Sequence, residues 1–294
     1  MKYKAAGAFR ASLEQRLRDR SREVGTSIVR LRKAVVFDRL LARLLQVAPE
    51  RWVVKGALAL DFRLSTITRT TKDLDLVYRE SQEAAAADLA AAQAVDPGDY
   101  FAFALERVRI GGAAEKSAKR YRARAEVAGR IFDEVIVDIG FVDPILWKPD
   151  LVLGTDLLGF AAIDRMQIPV LPLEQHVAEK VHAYTRTYGE GMPSSRVKDL
   201  VDIVLIKSFA SLDAEQVRKA LQITFEARSL QRLPDSLPAP PPDWVSPYRK
   251  LASEVGIDPQ LAVAHAEAAK LLDPVLSGSA RGRWNSEQNA WVPR

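Results

Sequence analysis

Apolar positions recur at helical spacing near the start of the chain. Ile28, Leu31, Val35, Leu40, Leu41, Leu44 and Leu45 mark one face of a helix over 26–46, and residues 8–21 read as another. Pro49 closes that run. Trp52-Val53-Val54 predicts a short strand, and Lys55-Gly56-Ala57-Leu58-Ala59-Leu60 a glycine turn that opens a helix. Residues 73–78, Asp-Leu-Asp-Leu-Val-Tyr, alternate with period two and predict a strand. An alanine-rich helix over 83–94 and a turn at Pro97-Gly98-Asp99 follow, then strands at 101–110, 119–127 and 134–141. In the middle one, Tyr121, Ala123, Ala125 and Val127 alternate with Arg120, Arg122, Arg124 and Glu126, which sets a small apolar face against an arginine ladder.

From about 173 the period becomes helical again. Leu173, Val177, Val181 and Tyr184 form one stripe; 196–208, 213–221, 247–255 and 258–273 read as further helices. Pro234, Pro238, Pro240, Pro241 and Pro242 mark a stiff connector over 234–242, and the last twenty residues read as a loose polar tail carrying two Trp. The expectation is an α/β region over 1–150 with basic N-terminal helices and a mixed sheet, followed by a mainly helical region over 151–294.

The composition narrows the chemistry. The chain has 294 residues and no Cys, so disulfides, thiolate metal sites and thiol nucleophiles are excluded, and its three His cannot build a His-rich metal site. No signal segment and no apolar run long enough to span a bilayer is read from it, so the expectation is a cytoplasmic protein without a membrane partner. The net charge of +5 is uneven. Residues 1–33 carry ten Lys/Arg against three Asp/Glu, and residues 107–130 eight against two, on an otherwise acidic chain. Two such blocks suit a polyanion, although arginine-rich helices also serve solubility alone.

Asp73 and Asp75 are two apart on a strand, so both carboxylates share one face while Leu74 and Leu76 point to the core. Like charges held side by side are tolerated where a cation sits between them. Oxygen ligands without His or Cys point to Mg²⁺ or Mn²⁺. Metal-assisted phosphoryl or nucleotidyl transfer needs such a pair, often with a third acid from a neighbouring strand. Asp138, in Glu134-Val135-Ile136-Val137-Asp138-Ile139-Gly140, is the candidate third ligand. Gly56 lets backbone N–H groups approach a phosphate at a helix N-terminus. Arg69, Thr70 and Thr71, just before the acidic pair, are candidates to contact phosphate or order the loop.

This ordered set resembles the nucleotidyltransferase superfamily of the DNA polymerase β type, and more closely the AbiEii/AbiGii toxin family of bacterial type IV toxin–antitoxin systems. The resemblance rests on Lys55-Gly56-Ala57-Leu58-Ala59-Leu60 with Arg69-Thr70-Thr71-Lys72-Asp73-Leu74-Asp75-Leu76, on Ala178-Glu179-Lys180-Val181-His182-Ala183, and on Ser195-Arg196-Val197-Lys198-Asp199-Leu200-Val201-Asp202. Ala57 stands where the superfamily usually has Ser or Gly, so one hydroxyl contact to a triphosphate is missing. The interval from Gly56 to Asp73 is longer than usual.

The resemblance implies a polymerase β-like mixed sheet followed by a helical C-terminal domain. It implies a Mg²⁺- or Mn²⁺-dependent enzyme using an NTP, with Asp73, Asp75, Lys180, Asp199 and Asp202 catalytic and Gly56, Ala57, Arg69, Thr70, Thr71 and Lys198 at the nucleotide. Lys180 falls on the apolar stripe, where a lysine either snorkels or serves as a point charge for triphosphate oxygens. Asp199 and Asp202 share a helix face; the ordinary reading is a solvated salt-bridged face, with Arg196–Asp199 and Lys198–Asp202 at pairing distance, and the sharper one has them orient Lys180. His176 and His182 read as structural. The implied acceptor is tRNA, at its 3′ end, so that aminoacylation and translation stop; the implied protein partner is an antitoxin. Two other classes remain open: a small-molecule, antibiotic-modifying nucleotidyltransferase, and a non-catalytic RNA-binding protein on the same fold.

Overall fold

The computed structural model describes residues 2–64, 73–109, 118–141, 146–186, 195–228 and 231–293. Two compact units divide the chain, one of residues 1–144 and 149–170 and the other of residues 145–148 and 171–294.

The first unit opens with helices α1 (Ala6–Val24) and α2 (Ile28–Val47). Gly25, with φ of 67°, stops α1 in the left-handed conformation that glycine adopts without a Cβ clash. Then come β1 (Trp52–Val54), α3 (Gly56–Leu64), β2 (Asp73–Tyr78) and α4 (Gln82–Ala94). Ser81 caps α4 by accepting a hydrogen bond from the Ala84 amide. Strands β3 (Phe101–Val108), β4 (Ala118–Val127), β5 (Arg130–Gly140), β6 (Asp150–Leu153) and β7 (Gln167–Val170) complete one mixed sheet of order β3-β4-β5-β2-β1-β7-β6. β2 runs parallel to β5 and antiparallel to β1, which pairs parallel to β7.

β5 begins four residues earlier than its hydrophobic pattern indicates. Ala128 and Gly129, with φ of 53° and 68°, make a two-residue turn that pairs Val127 with Arg130. Two successive positive φ values suit the right-handed twist of a hairpin. Ala-Gly is not among the usual sequence signals for such a turn, so the early start is invisible in the pattern.

The core of this unit is continuous, from Phe9 and Leu13 on α1 through Val35, Leu40 and Leu44 on α2 to Leu74, Leu76, Val137 and Ile139 on the central strands. A buried ionic network is set into it. Arg43 donates to both Asp99 carboxylate oxygens at 2.9 and 2.7 Å and to the Phe101 carbonyl, and Arg39 pairs with Asp38. These contacts fix the 97–99 turn on α2. Burial pushes the Asp38 carboxyl up, against the opposing charge of Arg39.

The second unit contains α5 (Leu173–Thr185), α6 (Val197–Phe209), α7 (Ala214–Arg228), α8 (Val245–Val255) and α9 (Leu261–Leu276). Val177, Val181, Leu200, Ile203, Val217, Leu221, Ala268 and Leu272 are buried among these helices. The connector at 234–242 is pinned: the Tyr184 hydroxyl donates to the Pro238 carbonyl, and the Leu237 amide donates to Asp273 Oδ1. The expected loose tail is instead a hairpin, β8 (Arg283–Asn285) with β9 (Ala290–Val292). Its two indoles anchor it. Trp284 is fully buried and donates to the Lys207 carbonyl, and Trp291 donates to that of Leu271. An aromatic ring carrying one satisfied donor buries enough area to order a short polar segment.

Candidate functional residues

β2 places Asp73 and Asp75 half-buried on one face, with Leu74 and Leu76 fully buried on the other. The parallel register sets Asp75 opposite Asp138 and Asp73 opposite Ile136 on β5. Neighbouring strands lie about 4.8 Å apart, so Asp73, Asp75 and Asp138 are brought onto one face of the sheet.

The glycine turn is built against this face. Gly56 has a φ of 68°, and a Cβ there would overlap the Asp75 carboxylate. Any other residue would both strain the backbone and displace the acid. The Lys55 amide donates to the Asp75 carbonyl at 2.9 Å, tying the β1–α3 junction to β2. The Lys55 ammonium reaches Gly140 at the end of β5, 3.9 Å from where a Cβ would sit. In the sequence Lys55 stands out only as part of the turn; a cation directly before the glycine is the signal that marks it. Ala57 is buried in the first turn of α3. Arg69, Thr70 and Thr71 lie outside the described residues.

Asp138 has an internal partner. Arg120, its register neighbour on β4, donates from Nε to Oδ1 and from Nη2 to Oδ2, both at 2.7 Å. The Asp138 hydrogen bond, with the charges of Asp138, Asp73 and Asp75, holds the Arg120 guanidinium above its ordinary pKa, against desolvation. Among the described residues, no group of three or more His, Asp or Glu side chains is placed to hold a metal. Asp73 and Asp75 nevertheless fit a hard divalent cation. Mg²⁺ is commonly held by one or two carboxylates, with water and substrate phosphates filling the shell.

The basic blocks are partly spent on structure. Arg10 donates to the carbonyls of Val127, Arg130 and Ile131, and Arg32 to that of Phe132. Lys33 donates to the Glu134 carbonyl and to Asp133. Of the ladder, Arg120 holds Asp138 while Arg122 is exposed and Arg124 half-buried beside Glu126. Lys116 lies outside the described residues.

In the second unit, Lys180 on α5 meets two acids of α6. Its ammonium is 3.0 Å from Asp199 Oδ1 and 2.7 Å from Asp202 Oδ2. All three side chains are buried, Asp202 completely. Arg196 donates to the other Asp199 oxygen at 2.9 Å from a half-exposed position. The acids are therefore not a solvated face. Spacing alone pairs Lys198 with Asp202, but Lys198 is exposed while Asp202 faces inward to Lys180. His182 stacks edge-on against Phe225 at 5.0 Å between centroids.

Comparison with known proteins adds a family. The profile described as nucleotidyl transferase AbiEii toxin, type IV TA system, matches residues 39–282. None of the curated proteins matches the chain significantly. Among solved structures, the chain is similar to MenT4, a nucleotidyltransferase toxin from Mycobacterium tuberculosis H37Rv, with 19% identity, a TM-score of 0.55, and coverage of 93% of this chain and 99% of that one. It also matches JHP933 from Helicobacter pylori at 14% identity and a TM-score of 0.48, over 84% of this chain and 94% of that one.

Proposed function

The chain belongs to the AbiEii nucleotidyltransferase toxin family of type IV toxin–antitoxin systems, and on that premise we propose that it transfers a nucleoside monophosphate from an NTP to the 3′ end of tRNA, blocking aminoacylation. The family implies an antitoxin partner. The observation that carries the chemistry is the pair Asp73 and Asp75 on one strand face, beside a glycine turn with no room for a Cβ against Asp75.

In this reading Asp73 and Asp75 would hold Mg²⁺ or Mn²⁺, which when bound would neutralise triphosphate charge and favour the ionised form of the acceptor hydroxyl. Gly56 opens α3 so that its first backbone N–H groups can face a phosphate, a role for which the buried Ala57 methyl adds no hydroxyl. The RNA 3′ oxygen attacks the α-phosphorus in line and its proton passes to water. The bond to the β-phosphate oxygen breaks and pyrophosphate leaves. Asp199 and Asp202 fix Lys180 as a catalytic cation for the charge that develops on phosphate oxygens. Exposed Arg122, with half-buried Arg124, offers the other two guanidinium groups of the β4 ladder to RNA phosphates.

The test incubates the full chain with each α-labelled NTP, Mg²⁺ and total tRNA. Label on tRNA is expected with intact 3′ ends and not with periodate-oxidised ones, which lack the attacking hydroxyl. No label with any of the four NTPs would overturn the reading. Label on oxidised tRNA would overturn the 3′ end as acceptor, and label on a small aminoglycoside instead of RNA would favour the antibiotic-modifying class.

A further inference from the structure

Asp73, Asp75 and Asp138 share the sheet face, but they are not equivalent. Asp73 and Asp75 stand on β2, whereas Asp138 on β5 faces Arg120 in the β4–β5 register. Arg120 fills both Asp138 oxygens at 2.7 Å, the planar fork-on-carboxylate geometry in which both acceptors are used at once. The pair is not a core strut, because 40% of the Arg120 side chain and 27% of the Asp138 side chain are exposed. Ion pairs this open add little to stability. Its consequence is local: a guanidinium and a metal compete for the same oxygen lone pairs.

We infer that Arg120 is a positioning residue that keeps Asp138 out of the metal shell, so that the protein holds one divalent cation tightly, through Asp73 and Asp75. This rests on the two-carboxylate reading above. A second metal sharing the face, as in paired-ion phosphoryl-transfer sites, would need Asp138 as a ligand. Arg120 supplies a fixed positive charge in its place, and the Asp138 oxygens stay turned to β4. The arrangement also removes Arg120 from the ladder available to RNA.

The probe is Mn²⁺ alone, titrated into the full-length protein and followed by its free-ion EPR signal, without nucleotide. Wild type is expected to bind one tight Mn²⁺, and Asp138→Asn to bind it with the same affinity. Arg120→Gln releases Asp138; it should gain a second site or tighten the first by about 10–100-fold, the range over which groups beside metal ligands tune affinity. Arg120→Gln with Asp138→Asn should return to wild-type behaviour, which a merely structural role for Arg120 would not produce. A large loss of Mn²⁺ affinity in Asp138→Asn, with Arg120 intact, would overturn the inference alone, and this variant decides the matter even if Arg120→Gln does not fold. Unchanged binding in a folded Arg120→Gln would overturn it too. Absence of Mn²⁺ binding by wild type would sink the two-carboxylate reading and this inference with it.

Discussion

The acidic face of β2 and the lysine cluster between α5 and α6 use the same residue types to opposite ends. On β2, Asp73 and Asp75 are half-buried, and the Arg120 guanidinium beside them is committed to Asp138. Around Lys180, two buried acids share one buried ammonium, and Arg196 completes Asp199. Repulsion between partly exposed acids costs little in water and is relieved by an arriving cation. Two acids deep in a helical unit have no such recourse, so their cation must belong to the chain. The β2 face keeps its acids at the solvent boundary, whereas the fold itself supplies the counter-charge for the acids around Lys180.

The sharpest test of that contrast is to remove one acid from each cluster. Asp75→Ala should lower nucleotide transfer by at least about 10²–10³-fold while leaving the chain folded with a melting temperature near the parent's. A variant that melts well below the parent would mean the pair is structural. Lys180→Met should behave oppositely to an edge-snorkelling lysine. It strands Asp199 and Asp202 in the interior and should cost about 3–5 kcal/mol in denaturant unfolding, the usual penalty for breaking one side of a buried pair. Combining Lys180→Met with Asp199→Asn and Asp202→Asn should restore much of the stability. If transfer returns with it, Lys180 has no catalytic role.

Gly56→Ala probes how tightly the turn is coupled to the acidic face. The left-handed backbone alone costs a non-glycine residue about 1–2 kcal/mol, and the added methyl must displace the Asp75 carboxylate. Loss of Mn²⁺ affinity along with stability is the expected result; a loss of stability alone would mean that Asp75 moves aside without consequence. Reversing Arg122 and Arg124 to Glu, with Arg120 intact, should flatten the salt dependence of tRNA binding by up to about 0.9 in log–log slope for each phosphate contact on duplex. An unchanged slope would place the RNA on another surface.

The smallest effect concerns an ion pair that is neither open nor fully buried. Lys207 and Lys270 hold the Glu267 carboxyl down at about 2. A depressed folded-state pKa adds stability that is complete above the ordinary glutamate value and fades as pH falls from there toward 2. Glu267→Gln should therefore lower the melting temperature at neutral pH slightly and make the acid limb of its pH dependence shallower. A parallel limb would show that the pair contributes nothing measurable.

Chain-local rules were enough for much of this protein. Period-two alternation at 73–78 puts Asp73 and Asp75 on one face, helical spacing locates the stripe carrying Lys180, and the order of glycine turn and acidic strand points to nucleotidyl transfer. These signals survive because they depend on backbone periodicity, which tertiary contacts seldom override in strongly patterned segments. Tertiary structure decided the rest. Strand register alone set Asp138 beside Asp75 and Arg120 across from Asp138, a pairing between residues 18 apart that no local spacing encodes. Helix packing turned Asp202 toward Lys180 and left Lys198 exposed, although residues four apart on one helix are the nearer guess. Two indole donors ordered a tail that composition reads as loose, because only the folded chain supplies the carbonyls they bind. A side chain's type is written locally, but the partner that settles its charge or its hydrogen bond comes from wherever the fold brings the chain back.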